Sequence, residues 1–291
     1  MSPPMTLTAR YRVKPGSRVS LAKWDPADTA DLQKKDAEAR LPALLAQLEE
    51  LQNRLYAADQ WAVLTIFQAM DGAGKDSVIK RVMTSINPQG LQVFSFKVPS
   101  DEELDHDYLW RTHVRVPERG RVGVHNRSHY EEVVVTRVHP EIVLRQRMPG
   151  RLPRERLWPQ RFREINEFER HLYENGTLIL KFFLHVSKEE QRRRFLRRMD
   201  EPEKHWKFSP RDVRERTYWD RYMAAYEEAI GYTSTEWAPW FIVPADRKWF
   251  TRLAVAEILA DAMKGLKLSY PTIPAATKRE WTEVRKLLTK T

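Results

Sequence analysis

From residue 28 to about 59, Leu32, Leu41, Leu44, Leu45, Leu48, Leu51 and Leu55 recur at helical spacing, a stripe that serves a core or a subunit interface. Pro42 within it predicts a kink or a second helix start. The pattern then changes to "WAVLTIFQ" (61–68), an apolar run without alternation, as expected of a strand buried on both faces of a parallel sheet. A helix over about 75–86 follows, stopped by "NPQG", and "LQVFSFK" (91–97) reads as the second strand. Ser100 with Glu103 forms a capping box for a helix reaching about residue 113. "RVGVHN" (121–126) is the third strand, followed by a helix containing "SHYEEVVVTRV" and an amphipathic helix that closes at Gly176. "TLILKFFLHV" (177–186) and "PWFIVPA" (239–245) complete five strands. Between these two, Ser187 and Glu190 cap an Arg-rich helix, and "SPRD" opens another with Pro in its first turn. "RKWFTRLAVAEILADAMKGL" closes the series as a helix.

Strands alternating with helices predict a three-layer α/β/α fold around a five-stranded parallel sheet, with ligands at the C-terminal strand ends. Residues 1–27, with Pro3, Pro4, Pro15 and Pro26 and no sustained period, read as an extended arm over the surface. The expected division is an arm and helical extension (1–59), a core (60–268) and a tail (269–291).

Composition narrows the partners. No apolar run approaches the ~18 residues of a membrane span, the N-terminus lacks the apolar segment of a secretion signal, and Cys is absent. A cytoplasmic protein without membrane attachment is expected. The 50 Lys and Arg exceed the 40 Asp and Glu, so the chain attracts a polyanion, whether nucleic acid, nucleotide or a chain of inorganic phosphate. No recognised nucleic-acid module such as a zinc finger accompanies this charge.

The chemistry begins where the first strand ends, at "AMDGAGKDS" (69–77). A P-loop is Gly, four residues, Gly-Lys and then Ser or Thr, placed between strand and helix so that backbone N–H groups surround phosphate oxygens. Here Ala69 stands for the first Gly, which requires that position to keep a negative φ. Asp76 stands for the hydroxyl residue that binds Mg²⁺. Gly72, Ala73 and Gly74 are the close-approach backbone, Lys75 the phosphate-holding cation, and Asp76 and Ser77 flank the phosphates. Asp71 and Asp76 would repel phosphate unless a divalent metal lay between, or a salt bridge came from basic residues such as Lys80 and Arg81. Metal is the reading for Asp71, and a helix-dipole partner is the alternative for Asp76.

Four separated stretches, "MDGAGKDSVIKRV", "GRVGVHNRSHYEEV", "SKEEQRRRFLRRMDEPEKHWKFSPRD" and "WDRYMAAYEEAI", together resemble the type-2 polyphosphate kinases over about residues 30–265. The resemblance implies a thymidylate-kinase-like P-loop fold with a helical lid (about 187–215). It also implies reversible phosphoryl transfer from inorganic polyphosphate to nucleotides with Mg²⁺, or Mn²⁺ in its place. Most of that family ends its third strand in Asp-Arg-Ser-Trp-Tyr. Asn126-Arg127-Ser128-His129-Tyr130 resembles instead the class III subgroup, which phosphorylates AMP and ADP to ADP and ATP. Asn126 then offers a carbonyl to the metal, Glu131 returns a carboxylate, and Arg127 binds phosphate in a fork. The family's lid pattern places phosphate contacts at Arg194 and Arg198 and, less directly, at Lys204 and Lys207.

Two further basic sets, Arg111, His113, Arg115, Arg119 and Arg121, and Arg145, Arg147, Arg151, Arg154 and Arg156, offer alternative linings for a polyphosphate groove. Trp158, Trp206, Trp219 and Trp237 read as core. Two competing readings remain: an ATP-dependent nucleotide or small-molecule kinase of the same fold, and a basic P-loop protein that binds nucleic acid. The leucine stripe makes a homo-oligomer an expectation.

Overall fold

The computed structural model describes residues 5–146, 148 and 154–289. Arg147 and Arg151 lie outside the described residues, as does the side chain of Arg154. The chain runs α1 (Leu7–Tyr11), α2 (Lys34–Ala58), β1 (Ala62–Gln68), α3 (Lys75–Val82), β2 (Leu91–Ser95), α4 (Asp101–Asp105), α5 (Trp110–His113), β3 (Val122–Asn126) and α6 (Glu131–Val138). It continues through α7 (Arg154–Glu174), β4 (Thr177–His185), α8 (Lys188–Asp200), α9 (Pro210–Glu215), α10 (Trp219–Thr233), β5 (Trp240–Pro244), α11 (Lys248–Gly265) and α12 (Ala275–Leu288).

The five strands form one parallel sheet in the order β2-β3-β1-β4-β5. Every residue of β1 is buried because that strand is central and covered on both faces, which is why its sequence lacks alternation. Phe67, near its C-terminal end, pairs with Asn126 of β3 on one side and Phe182 of β4 on the other. The loop after β1 therefore emerges between the ends of β3 and β4, at the crevice where open α/β sheets bind ligands.

The leucine stripe is core. Leu41, Leu45, Leu48, Leu51 and Leu55 are buried in the main cluster with Leu253, Ala256 and Ala260 of α11, and α2 continues through Pro42 without dividing. The N-terminal arm also departs from expectation. Instead of running over the surface it buries Leu7, Tyr11, Val13, Val19 and Leu21, and its Val13 N–H donates to the Trp240 carbonyl at 2.9 Å. That contact accompanies an antiparallel bridge between Arg12 and Phe241. The tail carries α12, which buries no residue and exposes Trp281, Val284, Leu287 and Leu288.

Candidate active site

β1 delivers its chain into the loop 69–74, and two glycines give the loop its shape: Gly72 at φ +82° and Gly74 at φ +105°, the latter capping α3. Ala69 stays outside the positive-φ region, so its Cβ is tolerated. Space at Gly72 is equally restricted, because a Cβ there would meet the Phe195 ring at 3.0 Å. Lys75, the first residue of α3, is buried and folds back to donate from Nζ to the Ala69 carbonyl at 3.0 Å. Burial lowers its pKa, and the carboxylate of Asp71 is the main influence opposing that shift.

The flank supplied by β3 is an ion triad. Arg127 takes up a left-handed conformation (φ +65°), its N–H donating to the Phe67 carbonyl at 3.0 Å. Its guanidinium reaches Asp71 Oδ1 at 2.8 Å and Glu131 Oε2 at 2.9 Å. Glu131 foremost, then Asp71, raise the Arg127 pKa against the cost of burial. With its amide oriented to satisfy its neighbours, buried Gln68 donates to Glu131 Oε1 at 2.9 Å and accepts from the Ser128 N–H at 3.0 Å. Glu131 is thus a held group. Asn126 Nδ2 donates to Asp76 Oδ1 at 2.8 Å. The partner of Asp71 is Arg127, 56 residues away, and not Lys80 or Arg81, while Asp76 is balanced by an amide.

The flank supplied by β4 is the root of α8. Gln191 Nε2 donates to the Asp71 carbonyl at 2.8 Å. Arg194 spends its whole guanidinium: Nε on Glu190 at 2.8 Å, one terminal nitrogen on the carbonyls of Gly72 (3.1 Å) and Ala73 (2.6 Å), the other on those of Ala245 (2.6 Å) and Asp246 (3.2 Å). Arg194, expected at a phosphate, is engaged here by the loop's own carbonyls. The side chain is a strut between the loop and the end of β5, with no donor left over.

Arg198 approaches Asp212 of α9 at 3.7 Å and donates to the Lys207 carbonyl at 3.3 Å. Burial first, and then the charge of Asp71, raise the Asp212 pKa. Lys204 pairs with Glu201. Lys207 lies 4.7 Å above the ring of Trp206, which is exposed between α8 and α9, unlike buried Trp158 and Trp219. Ser77 Oγ accepts from Arg252 at 2.7 Å.

The second basic set does not act together. Arg119 and Arg121 precede β3, at the end of the sheet away from the loop, where Arg119 donates to the Asn175 carbonyl at 3.3 Å and Arg121 covers the Tyr56 ring. Arg111 is half-buried against Phe96 and donates to the Lys97 carbonyl at 2.9 Å, and burial lowers its pKa against the pull of Glu103 and Glu131. Arg145 and Arg156 are exposed.

Among the described residues no group of three or more His, Cys, Asp or Glu side chains could hold a metal. Two carboxylates, Asp71 and Glu131, share one guanidinium. That set suits a dication bound by one or two carboxylates and completed by substrate phosphates and water, the usual arrangement for Mg²⁺. The arrangement as a whole, an N–H cradle with one buried lysine between a carboxylate flank and the root of α8, is suited to phosphoryl transfer.

The family description Polyphosphate kinase 2 (PPK2) matches residues 31–270. An ADP-polyphosphate phosphotransferase of Rhodopseudomonas palustris is 51% identical over 285 residues, 97% of this chain and 99% of that protein. An AMP/ADP-polyphosphate phosphotransferase of Meiothermus ruber is 46% identical, over 93% of this chain and 98% of that protein. The crystal structure of polyphosphate kinase 2 from Arthrobacter aurescens superposes with a TM-score of 0.87 at 42% identity, covering 96% of this chain and 97% of the other. With its loop, its triad and its sheet order all in place, the chain belongs to the polyphosphate kinase 2 family.

Proposed function

We propose that this chain transfers phosphoryl groups reversibly between inorganic polyphosphate and AMP or ADP, forming ADP and ATP, in the cytoplasm and with Mg²⁺. Likeness along nearly the whole chain to an ADP- and an AMP/ADP-polyphosphate phosphotransferase carries this reading. The acceptor's terminal phosphate has a second pKa near 6 and is already ionised at neutral pH, so no general base is required. The residues align and neutralise. Lys75 leaves the Ala69 carbonyl for phosphate oxygens, and the N–H groups of 72–75 surround the same group. Arg127 would turn from its two carboxylates to the transferring phosphoryl group, and Asp71 and Glu131 would hold the metal. Bound there, with the Asn126 carbonyl nearby, Mg²⁺ would supply charge neutralisation between phosphates. Closure of α8 and α9 excludes water that would hydrolyse the donor.

Incubating the protein and Mg²⁺ with AMP or ADP, and either polyphosphate or ATP as sole donor, tests the reading. ADP and ATP formed from polyphosphate support it, and their absence refutes it. Lys75→Ala should abolish turnover with the fold retained. Glu131→Gln should lower activity and raise the Mg²⁺ requirement by about ten- to a hundredfold. An unchanged Mg²⁺ titration would remove Glu131 from the metal site. Neither nucleic acid nor membrane is a partner in this reading, and no helix among the described residues is long and apolar enough to cross a membrane. A homo-oligomer would now have to use a surface other than the internal leucine stripe. α12 is one exposed apolar helix that fits, and Trp281→Glu tests it by the change in solution mass.

A further inference from the structure

Between Arg127 and Glu131, which meet at the site, the turn from β3 to α6 sends three residues inward: Ser128, His129 and Tyr130 are all buried. Ser128 is held by Gln68 of β1. His129 Nε2 lies 3.3 Å from Glu169 Oε1 on α7, and the Tyr130 hydroxyl donates to the same oxygen at 2.8 Å. The other oxygen of Glu169 accepts from Lys181 of β4. The Lys181 ammonium also donates to the Tyr130 hydroxyl at 2.8 Å and to the carbonyl of Thr233, the last residue of α10, at 2.7 Å. Lys181, Glu169 and Tyr130 thus close a ring of three hydrogen bonds, with all three ammonium protons and both carboxylate oxygens engaged.

The Lys181 and Glu169 side chains are 0% and 1% exposed, a fully desolvated ion pair. Desolvation offsets much of the attraction in such a pair, and apolar residues of similar volume are often equally stable in its place. Stability alone therefore does not account for it. Hydrogen bonds have a direction that apolar contacts lack, and these end on the turn and on α10, which packs against α6. The turn needs an anchor of this kind. Arg127 stands at φ +65°, an unfavourable region for a residue with a Cβ. Its guanidinium and the Glu131 carboxylate must change partners during phosphoryl transfer, so the triad cannot itself hold the backbone that carries them. A shift of about 1 Å in that backbone would misplace both groups, a displacement that can cost about a hundredfold in rate.

We propose that Lys181 and Glu169, acting through Tyr130 and His129, are positioning residues that keep the backbone from Arg127 to Glu131 fixed while those two side chains exchange each other for substrate. The inference rests on Arg127 and Glu131 serving phosphoryl transfer. Lys181 and Glu169 lie outside the four stretches that carry the family resemblance, and neither touches the reacting groups.

Tyr130→Phe removes one hydroxyl and leaves both charges paired. With polyphosphate as donor it should lower kcat about ten- to a hundredfold and leave the KM for ADP nearly unchanged. In a Glu131→Gln background the same substitution should do far less, because one of the groups it positions is already gone; losses of equal size in both backgrounds would overturn the proposal. In the empty protein, hydrogen exchange at the Arg127 and Glu131 amides, which donate to the Phe67 and Ser128 carbonyls, should speed up about tenfold while β4 keeps its protection. Lys181→Met should lower the thermal midpoint, and adding Glu169→Leu should recover much of that loss without recovering kcat or the protection of the turn. Turnover that returns with the midpoint, or a Tyr130→Phe variant with wild-type kcat or wild-type exchange, would refute positioning. The exchange measurement needs no substrate, so a wild type that makes no nucleotide from polyphosphate refutes the donor reading separately, and the exchange rates then decide whether the pair holds the turn.

Discussion

Replacing Arg194 by Met separates a strut from a phosphate ligand. The side chain is 5% exposed and holds Glu190 and four backbone carbonyls. Removing one partner of a buried, hydrogen-bonded charge pair costs about 3–5 kcal/mol. For 291 residues, an unfolding entropy of about 2.1 cal/mol/K per residue gives about 0.6 kcal/mol/K, so the midpoint should fall by about 5–8 °C. Arg198→Gln serves as the comparison. Its 3.7 Å pairing with Asp212 and long bond to Lys207 are of the kind worth about 0–1 kcal/mol, which corresponds to less than about 2 °C. The assay is thermal unfolding by calorimetry in the absence of phosphate, nucleotide and divalent metal. If Arg194 were held in reserve for substrate, its loss would leave the empty protein's midpoint within about 1 °C of wild type and act only on KM. That result would refute the strut.

Gly72→Ala combines a left-handed backbone with a 3.0 Å approach to Phe195. It should cost about 1–2 kcal/mol from the backbone alone. Gly72→Ala with Phe195→Leu should recover the contact but not the backbone cost, which paired denaturant titrations would measure. Asn126→Asp puts a second carboxylate where an amide now donates to Asp76 at 2.8 Å. One of the two should then have a raised pKa. The variant should melt close to wild type near pH 4.5 and lose about 1–3 kcal/mol by pH 7.5, with Mg²⁺ restoring part of the loss. Lys248 loses its proton as pH rises through about 8 in the empty protein. Folding stability should therefore rise with pH above that value in wild type, and Lys248→Met should lack this rise, which thermal melts across pH would measure.

Local features were legible in the sequence. The loop from Ala69 to Lys75 sits between a strand and a helix whose patterns are read over a few residues, and the cap at Ser187 needs only its neighbour Glu190. The five strands fall within two residues of their expected ends for the same reason. Pairings across the sheet were not legible. That Asp71 meets Arg127 follows from the β1–β3 register, and that Arg119 and Arg121 lie at the far end follows from strand direction. Arg194 could not be told from Arg193 or Arg197 by residue type, because only the path of α8 over the loop decides which guanidinium is buried. The leucine stripe was visible, but whether it faced α11 or another copy depends on a helix some two hundred positions later in the chain.

The short bridge between Arg12 and Phe241 has a bearing on aggregation. β5 is wholly apolar, "WFIVP", and terminates one side of the sheet. Left open, such an edge offers unpaired backbone groups to any other extended chain and is a site for stacking into aggregates. By donating the Val13 N–H to the Trp240 carbonyl and burying Tyr11 beside Phe250, the arm occupies that template from within the same molecule. A segment that takes no part in the chemistry thereby acts as an intramolecular guard against self-templating, and a terminal fusion or trimming that loosens it would show first as lost recovery of soluble protein, not as lost turnover.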